Sequence, residues 1–161
     1  MSAEKPIFKK IALIGVGLIG SSIAHASKRK GLAQHVAGYV PRAETRAKAQ
    51  AAGFADSLHA EIAPAVKDAD LVVLCTPIGT YGTLAAEIAP HLMKGAILSD
   101  VGSVKTVVVR DVGPHVPNGV HFVPGHPVAG TEQSGPEAGF AELFDGRWCI
   151  LTPPPGTEQA A

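Results

Sequence analysis

Short apolar runs alternate with stretches of helical periodicity along most of the chain, and this alternation constrains the fold more than any other feature. Residues 71–75 are apolar throughout, as expected of a strand that is buried on both faces. The segment after them repeats apolar residues at helical spacing from Tyr81 to Leu92. Strands that alternate with helices build a parallel sheet on which the helices pack. The sequence therefore predicts an α/β fold, doubly wound around a mainly parallel sheet with helices on both faces.

The same pattern gives the order of the elements. Strands are predicted at residues 10–15, 35–40, 71–75, 96–99, 121–124 and 148–152, and helices at 18–30, 42–52 and 81–92. Residues 54–69 are predicted to hold a short strand and a helix. One domain should cover residues 1–153, because a chain of 161 residues is long enough to bury one ordinary core. Residues 154–161 are predicted to start a linker.

Composition argues against several classes of partner. Lys and Arg together number 14, as do Asp and Glu, so no charge excess favours a nucleic acid or a membrane surface. The apolar run after Lys9 and Lys10 imitates a signal peptide, but glycines and serines interrupt it, and we expect a cytoplasmic protein. Cys75 and Cys149 stand far apart with no ligand spacing, which predicts two buried free thiols and no metal site.

A phosphate-binding loop is predicted between the first strand and the first helix, where the sequence is GVGLIG at residues 15–20. In a GxGxxG loop the first glycine makes the turn, and the second lets the backbone approach a pyrophosphate. The third lets the helix pack on the strand. The amides at the start of the helix then face the anion. The candidate cofactor-binding residues are Gly15, Gly17, Leu18, Ile19 and Gly20, and the alternative is a glycine-rich turn without a ligand. This loop makes the predicted fold one of the Rossmann type.

The residues after the second strand bear on the choice between NAD and NADP. An acidic residue about 20 positions beyond the loop would bind the ribose hydroxyls of NAD, but Val40 stands there. Arg42 could attract the 2′-phosphate of NADP. Both cofactors are therefore candidates, with NADP slightly favoured. The alternative for Arg42 is that it only begins a solvated helix.

Two polar residues follow later strands and are candidates for chemistry. Ser103 comes after a buried strand and is predicted to cap the next helix, which still leaves its O–H free for a ligand. His126 lies between Pro124 and Pro127, which predicts a stiff, non-helical loop that aims the ring. The carboxyl ends of parallel strands meet at one edge of the sheet, so both side chains should reach the same crevice. A neutral imidazole there could act as a general base.

Three segments in this order resemble the prephenate/arogenate dehydrogenase family of tyrosine biosynthesis. They are GVGLIGSS at residues 15–22, DVGSVK at residues 100–105 and GHPVAGTE at residues 125–132. Leu143-Phe144 and ILTP at residues 150–153 complete the resemblance, which runs from about Phe8 to Pro153. The second and third segments are much more specific to this family than the first.

The resemblance implies an oxidative decarboxylation of prephenate or arogenate, in which a hydride passes from the substrate ring to the nicotinamide. His126 then matches the family's catalytic histidine, and Ser103 the serine that binds the same substrate hydroxyl. Thr131 and Glu132 match positions at the mouth of the substrate pocket. Thr76 and Pro77 match a loop that contacts the cofactor.

The sequence departs from the family pattern in two respects. Val40 replaces the aspartate of many relatives, which leaves the cofactor open. The family normally continues into a helical domain that forms the homodimer and supplies substrate-binding cations, so we expect this chain to be an N-terminal fragment. Lys105 could then bind at most one substrate carboxylate. Two alternatives remain: a related hydroxyacid dehydrogenase or reductase, and a nucleotide-sensing module without catalysis.

Overall fold

The computed structural model describes residues 5–159 and 161. Within them, six parallel strands form one sheet in the order β3-β2-β1-β4-β5-β6. The strands are β1 (Phe8–Ile14), β2 (Ala33–Tyr39), β3 (Ser57–His59), β4 (Leu71–Leu74), β5 (Ile97–Asp100) and β6 (His121–Val123). The helices are α1 (Leu18–Lys30), α2 (Ala43–Ala52), α3 (Ile62–Val66), α4 (Tyr81–Ile88) and α5 (Lys105–Val112). Single 3₁₀ turns occupy Ile78–Thr80, Ala89–His91, Gly113–His115 and Pro136–Ala138.

Helices cover both faces of the sheet, and successive side chains of a strand point to opposite faces, so each strand contributes to two cores. Ala12 and Ile14 of β1 pack on one side with the apolar faces of α3, α4 and α5. Ile11 and Leu13 pack on the other side with α1 and α2. The prediction of a doubly wound α/β fold with helices on both faces is therefore confirmed.

The sheet order places a crevice at the carboxyl ends of β1 and β4. The chain leaves β1 toward β2 and β3 on one side, and then returns to β4, β5 and β6 on the other. Such a reversal of strand order is where open α/β sheets bind their ligands. At this edge the Gly15 amide donates to the Tyr39 carbonyl at 3.1 Å, and the Cys75 amide donates to the Ile14 carbonyl at 2.8 Å.

Several predicted boundaries differ from the structure. Helix α4 ends at Ile88, before the predicted Leu92, because Pro90 has no N–H to continue the hydrogen bonding and the chain tightens into a 3₁₀ turn. The short strand and helix expected in residues 54–69 are β3 and α3. Cys149 is exposed, and Cys75 is half-buried, so the expectation of two buried thiols is wrong for Cys149. In the described part of the chain, no helix is both long and apolar enough to cross a bilayer.

The largest difference lies after β6. His126 was expected in a loop, but it belongs to a short strand, β7 (Gly125–Pro127), which pairs antiparallel with β8 (Cys149–Leu151). His126 stands opposite Ile150 in this two-stranded ribbon. The predicted strand at residues 148–152 exists but lies outside the main sheet, and its Ile150 and Leu151 side chains are exposed.

Candidate dinucleotide site and catalytic crevice

The loop between β1 and α1 has the geometry of a cradle for a phosphate group. Gly15 has a φ of +94°, and a Cβ on it would lie 2.8 Å from the Thr76 methyl carbon. A Cβ on Gly20 would lie 2.4 Å from the Gly15 carbonyl oxygen, so only glycine lets α1 pack this closely on the loop. A Cβ on Gly17 would meet nothing within 4 Å. That open side is where a ligand could approach the backbone at the start of α1.

Leu18 and Ile19 are the first two residues of helix α1, and their side chains have different surroundings. Leu18 is buried, whereas Ile19 lines the crevice that also holds Ser103 and His126. Gly17 is the N-cap of α1, and no side chain caps this helix end. The amides of the first turn are therefore free of a competing side-chain acceptor.

A groove of about 560 Å³ extends from the phosphate loop along the edge of β2 and β4. Its lining includes Gly15, Tyr39, Arg42, Thr76, Pro77 and Thr80. Arg42 is exposed at the N-cap of α2, so its guanidinium can reach a ligand in the groove. Val40 is only 4% exposed and packs in the cluster that contains Val16, so the position of the usual acidic residue is apolar and covered.

A second crevice, of about 370 Å³, brings together the two residues singled out for chemistry. Ser103 and His126 both line it, and Ile19, Thr76, Ile78 and Tyr81 form other parts of its wall. Thr76 lines the groove as well as this crevice, so the two spaces adjoin. A dinucleotide lying across the carboxyl edge would thus pass from Arg42 to His126.

The expected helix cap at Ser103 is wrong. Helix α5 begins at Lys105, its N-cap is Val104, and no side chain makes a capping hydrogen bond. Ser103 lies in the turn between β5 and α5, and its hydroxyl is not committed to the helix end. The hydroxyl is therefore available to a ligand in the crevice.

Asp100, at the end of β5, connects the segments that carry Ser103 and His126. Its side chain is fully buried and forms an ion pair with Lys105. Its two oxygens accept from the Gly102 amide at 2.7 Å and from the Gly125 amide at 3.2 Å. The Lys105 ammonium also donates to the Gly125 carbonyl. Lys105 is thus engaged inside the protein, which corrects the expectation that it could bind a substrate carboxylate.

Thr131 and Glu132 are not brought into the crevice. Both are exposed, and the Thr131 hydroxyl accepts from the Gln133 amide at 3.1 Å. In the described structure the crevice wall next to His126 continues through Pro127 and Ala129 instead.

Sequence reasoning missed Asp100 and Tyr81. Burial, and then the nearby Asp100 carboxylate, raise the pKa of the Tyr81 phenol above its usual range, and the phenol donates to the Leu74 carbonyl at 3.0 Å. The same two causes, in the same order, raise the pKa of the Cys75 thiol. A carboxylate directly at the end of an apolar strand was the signal that could have pointed to Asp100.

Two acidic residues of the segment between β7 and β8 are paired with helix α1. Arg29 of α1 forms ion pairs with Glu142 at 2.7 Å and Asp145 at 2.8 Å. The Phe140 amide also donates to the Ser22 hydroxyl at 3.1 Å. These contacts hold the segment after residue 135 against α1, beside the phosphate loop.

A six-stranded parallel sheet with a glycine cradle at its switch point is the architecture of a Rossmann-type dinucleotide-binding domain, and here a serine and a histidine line the adjoining crevice. Comparison with known families identifies the particular one: residues 23–161 match the prephenate dehydrogenase nucleotide-binding domain. The chain belongs to this family.

Two individual relatives are named as dehydrogenases of this family. The chain is 46% identical over 147 residues to a cyclohexadienyl dehydrogenase of Zymomonas mobilis, covering 91% of this chain and 50% of the relative. It is 36% identical to a prephenate dehydrogenase of Lactococcus lactis, covering 89% of this chain and 41% of the relative. The chain thus spans about half the length of these relatives.

Solved structures give the same result. A prephenate dehydrogenase of A. aeolicus in complex with hydroxyphenyl propionate and NAD+ superposes with a TM-score of 0.86 at 33% identity. The match covers 94% of this chain and 53% of that one. An arogenate dehydrogenase of Synechocystis gives a TM-score of 0.85 at 31% identity, covering 94% and 52%. These names favour a dehydrogenase of this family over the hydroxyacid dehydrogenase and the nucleotide-sensing module.

Proposed function

We propose that this chain supplies the NAD(P)+ site and the catalytic base of an enzyme that oxidatively decarboxylates prephenate or arogenate in tyrosine biosynthesis. The observation that carries the proposal is the shared crevice of Ser103 and His126, which adjoins the groove of the phosphate loop through Thr76. Relatives named prephenate and cyclohexadienyl dehydrogenase support the choice of substrate class.

The residues present fit a dinucleotide. Gly15 and Gly20 allow the close packing of loop and helix, and Gly17 leaves open the space that a pyrophosphate would need. Arg42 and Tyr39 line the groove for the nucleoside half, and Thr76 lies between this groove and the catalytic crevice. When bound, the nicotinamide supplies a hydride acceptor.

His126 and Ser103 act on the hydroxyl of the substrate ring. His126 accepts the hydroxyl proton as the carbon bearing that oxygen loses its hydride, because a neutral imidazole has a lone pair to offer. The ring carboxylate leaves as CO₂, and the electron pair of the broken C–C bond enters the ring, which becomes aromatic. His126 then returns the proton to the phenolic oxygen, so no net proton is consumed. Ser103 orients the hydroxyl toward the imidazole by hydrogen bonding.

We also propose that the groove accepts NADP+ as well as NAD+. Val40 supplies no carboxylate to repel a 2′-phosphate, and Arg42 is exposed at the groove.

The test is a turnover assay of the natural protein that contains these residues, with prephenate and with arogenate, each against NAD+ and NADP+. Reduction of the nicotinamide with at least one pair, accompanied by CO₂ release, supports the proposal. Cofactor binding without reduction by either substrate would contradict it.

A further inference from the structure

We propose that the buried Asp100–Lys105 ion pair positions Ser103 and His126 relative to one another, and that these two side chains form a working site only while the pair is intact. The catalytic consequence rests on the proposed function. The tether, which is the set of contacts that Asp100 and Lys105 make with the backbone of Gly102 and Gly125, is a claim about the structure alone. Neither Asp100 nor Lys105 is a catalytic residue, because neither lines the crevice that holds Ser103 and His126.

The pair holds the residue before each functional side chain. Asp100 accepts from the amide of Gly102, directly before Ser103, and from the amide of Gly125, directly before His126. Lys105 donates to the Gly125 carbonyl while it contacts the Asp100 carboxylate. Both backbone polar groups of Gly125 are therefore bound by one ion pair.

The ribbon explains why this tether is needed. Strand β7 has only three residues and pairs on one side with β8, which is exposed. An isolated two-stranded ribbon is marginally stable in water. On its other side β7 is fixed through Gly125 to Asp100 and Lys105, and thus to the rigid end of the main sheet.

Two glycines permit the close approach that the tether requires. A Cβ on Gly102 would lie 3.0 Å from an Asp100 carboxylate oxygen. A Cβ on Gly125 would lie 3.1 Å from the Asp100 carbonyl oxygen. Neither glycine has a positive φ, so the close packing around Asp100 is what these positions need.

Burial makes the pair an effective positioning device. The Asp100 side chain is 0% exposed and that of Lys105 is 15% exposed, so water and salt screen their attraction little. An ion pair at this depth is costly to desolvate, and a hydrophobic pair of similar volume is often as stable. A fixed placement of the turn at Gly102 relative to strand β7 is a gain that a hydrophobic pair could not provide, because such a pair would leave the Gly102 and Gly125 amides without their acceptor.

The experiment uses the natural protein that contains this chain and compares Asp100→Asn, Lys105→Met and the double variant with the wild type. Asp56→Asn is the matched control, since Asp56 also pairs with a lysine, Lys28 at 3.0 Å, and accepts from a backbone amide, that of Val36 at 2.7 Å. Asp56 lies just before β3, whereas the crevice lies at the carboxyl ends of the strands.

The first measurement is amide hydrogen exchange by mass spectrometry. Amide exchange in segments 101–104 and 124–127 should be faster by about tenfold in both single variants. Each substitution removes a contact that must break before the segment can open. Exchange in segment 11–14 of β1 should be unchanged. Unchanged exchange at both tethered segments would overturn the tether.

The second measurement is the separation of kcat from cofactor affinity. Misplacing a catalytic group costs about 10- to 100-fold in rate, so kcat should fall by that amount in both variants while the dissociation constant of the cofactor hardly changes. The double variant should be no worse than the worse single variant, since both remove one interaction. Lys105→Arg, which keeps a cation, should retain more activity than Lys105→Met.

Faster exchange with wild-type kcat would overturn the positioning role, as would an equal loss of kcat in the Asp56→Asn control. If Asp100→Asn does not fold, Lys105→Met and Lys105→Arg decide the same questions. If the wild type turns over neither substrate, the proposed function fails, and hydrogen exchange still decides the tether.

Discussion

His126 is held in place by backbone contacts on both edges of its strand, since β7 pairs with β8 and is joined through Gly125 to Asp100 and Lys105. In the proposed general-base role, the ring nitrogen is the essential feature and the bulk of the ring is not. His126→Asn should therefore lower kcat of the natural enzyme by about two to four orders of magnitude. Cofactor affinity, measured by quenching or enhancement of nicotinamide fluorescence, should hardly change.

The effect of His126→Asn on kcat is compared with that of a substitution at a second histidine. His115→Asn is a matched control, because His115 is exposed at the end of a 3₁₀ turn. Near-normal turnover of His126→Asn would remove His126 from the mechanism.

Arg42 and Val40 are expected to set the preference between the two cofactors. Arg42→Ala should weaken NADP+ more than NAD+, because only NADP+ has a 2′-phosphate for the guanidinium to bind. Val40→Asp should shift preference toward NAD+ by repelling that phosphate and accepting from the ribose hydroxyls.

Dissociation constants for both cofactors provide the measurement, and equal losses for Arg42→Ala would show that the guanidinium does not bind the phosphate. Val40 is 4% exposed, so thermal unfolding must accompany the Val40→Asp data. Burying an unpaired carboxylate would lower the stability of the fold and must be separated from the effect on binding.

At the scale of elements, two glycines of the turn from β1 into α1 have different roles: Gly20 allows the helix to pack on the loop, and Gly17 leaves space for a ligand. Gly20→Ala would place a Cβ 2.4 Å from the Gly15 carbonyl oxygen, so α1 must move and the free energy of unfolding should fall by about 1–3 kcal/mol. Gly17→Ala meets nothing within 4 Å, so it should leave stability nearly unchanged. The Gly17→Ala substitution should still lower the affinity for the cofactor, because the methyl group would occupy the space that the pyrophosphate needs.

Chemical denaturation and cofactor titration of the two variants give the comparison. Tight cofactor binding by Gly17→Ala would contradict a pyrophosphate position above this residue.

The elements of the main sheet could be predicted because each depends on a local pattern. Residues 71–75 are apolar throughout, and β4 is buried on both faces. The β7–β8 ribbon could not be predicted in the same way. Proline and glycine normally argue against a strand, and β7 consists of Gly125, His126 and Pro127. Its partner lies more than 20 residues away, so the pairing depends on the segment folded against α1.

The candidate site was predictable in part for the same reason. Ser103 and His126 could be placed near each other because both follow strands of one parallel sheet. The engagement of Lys105 with Asp100 could not be read from a helical or strand period. It depends on the turn through Gly102, which folds the start of α5 back over the end of β5.

At the scale of the whole molecule, the charge around the crevice predicts what these 161 residues do alone. Prephenate has two carboxylates, and binding them normally takes arginine or lysine in good geometry. Among the described residues that line the crevice of Ser103 and His126, none is a lysine or an arginine. Lys105 is paired with Asp100, and Arg147 lines a separate apolar cavity next to Trp148.

We therefore expect the 161-residue chain to bind NAD+ or NADP+ but to turn over little substrate. The comparison is with the natural protein that contains it, assayed with saturating prephenate or arogenate and both cofactors. The open crevice should also admit water, which weakens charge interactions there. A rate close to that of the natural protein would show that these residues carry the complete substrate site.

The exposed ribbon has an optical consequence. Trp148 is the single tryptophan of the chain and lies next to β8 with 81% of its surface exposed. Tryptophan emission from these residues, excited selectively over the two tyrosines, therefore comes from one indole in contact with water, close to the strand that holds His126. Its emission should be red-shifted and readily quenched by acrylamide, and any polypeptide that covers β8 would shift the emission to the blue. The molecule thus contains its own spectroscopic probe of the surface beside the crevice of Ser103 and His126.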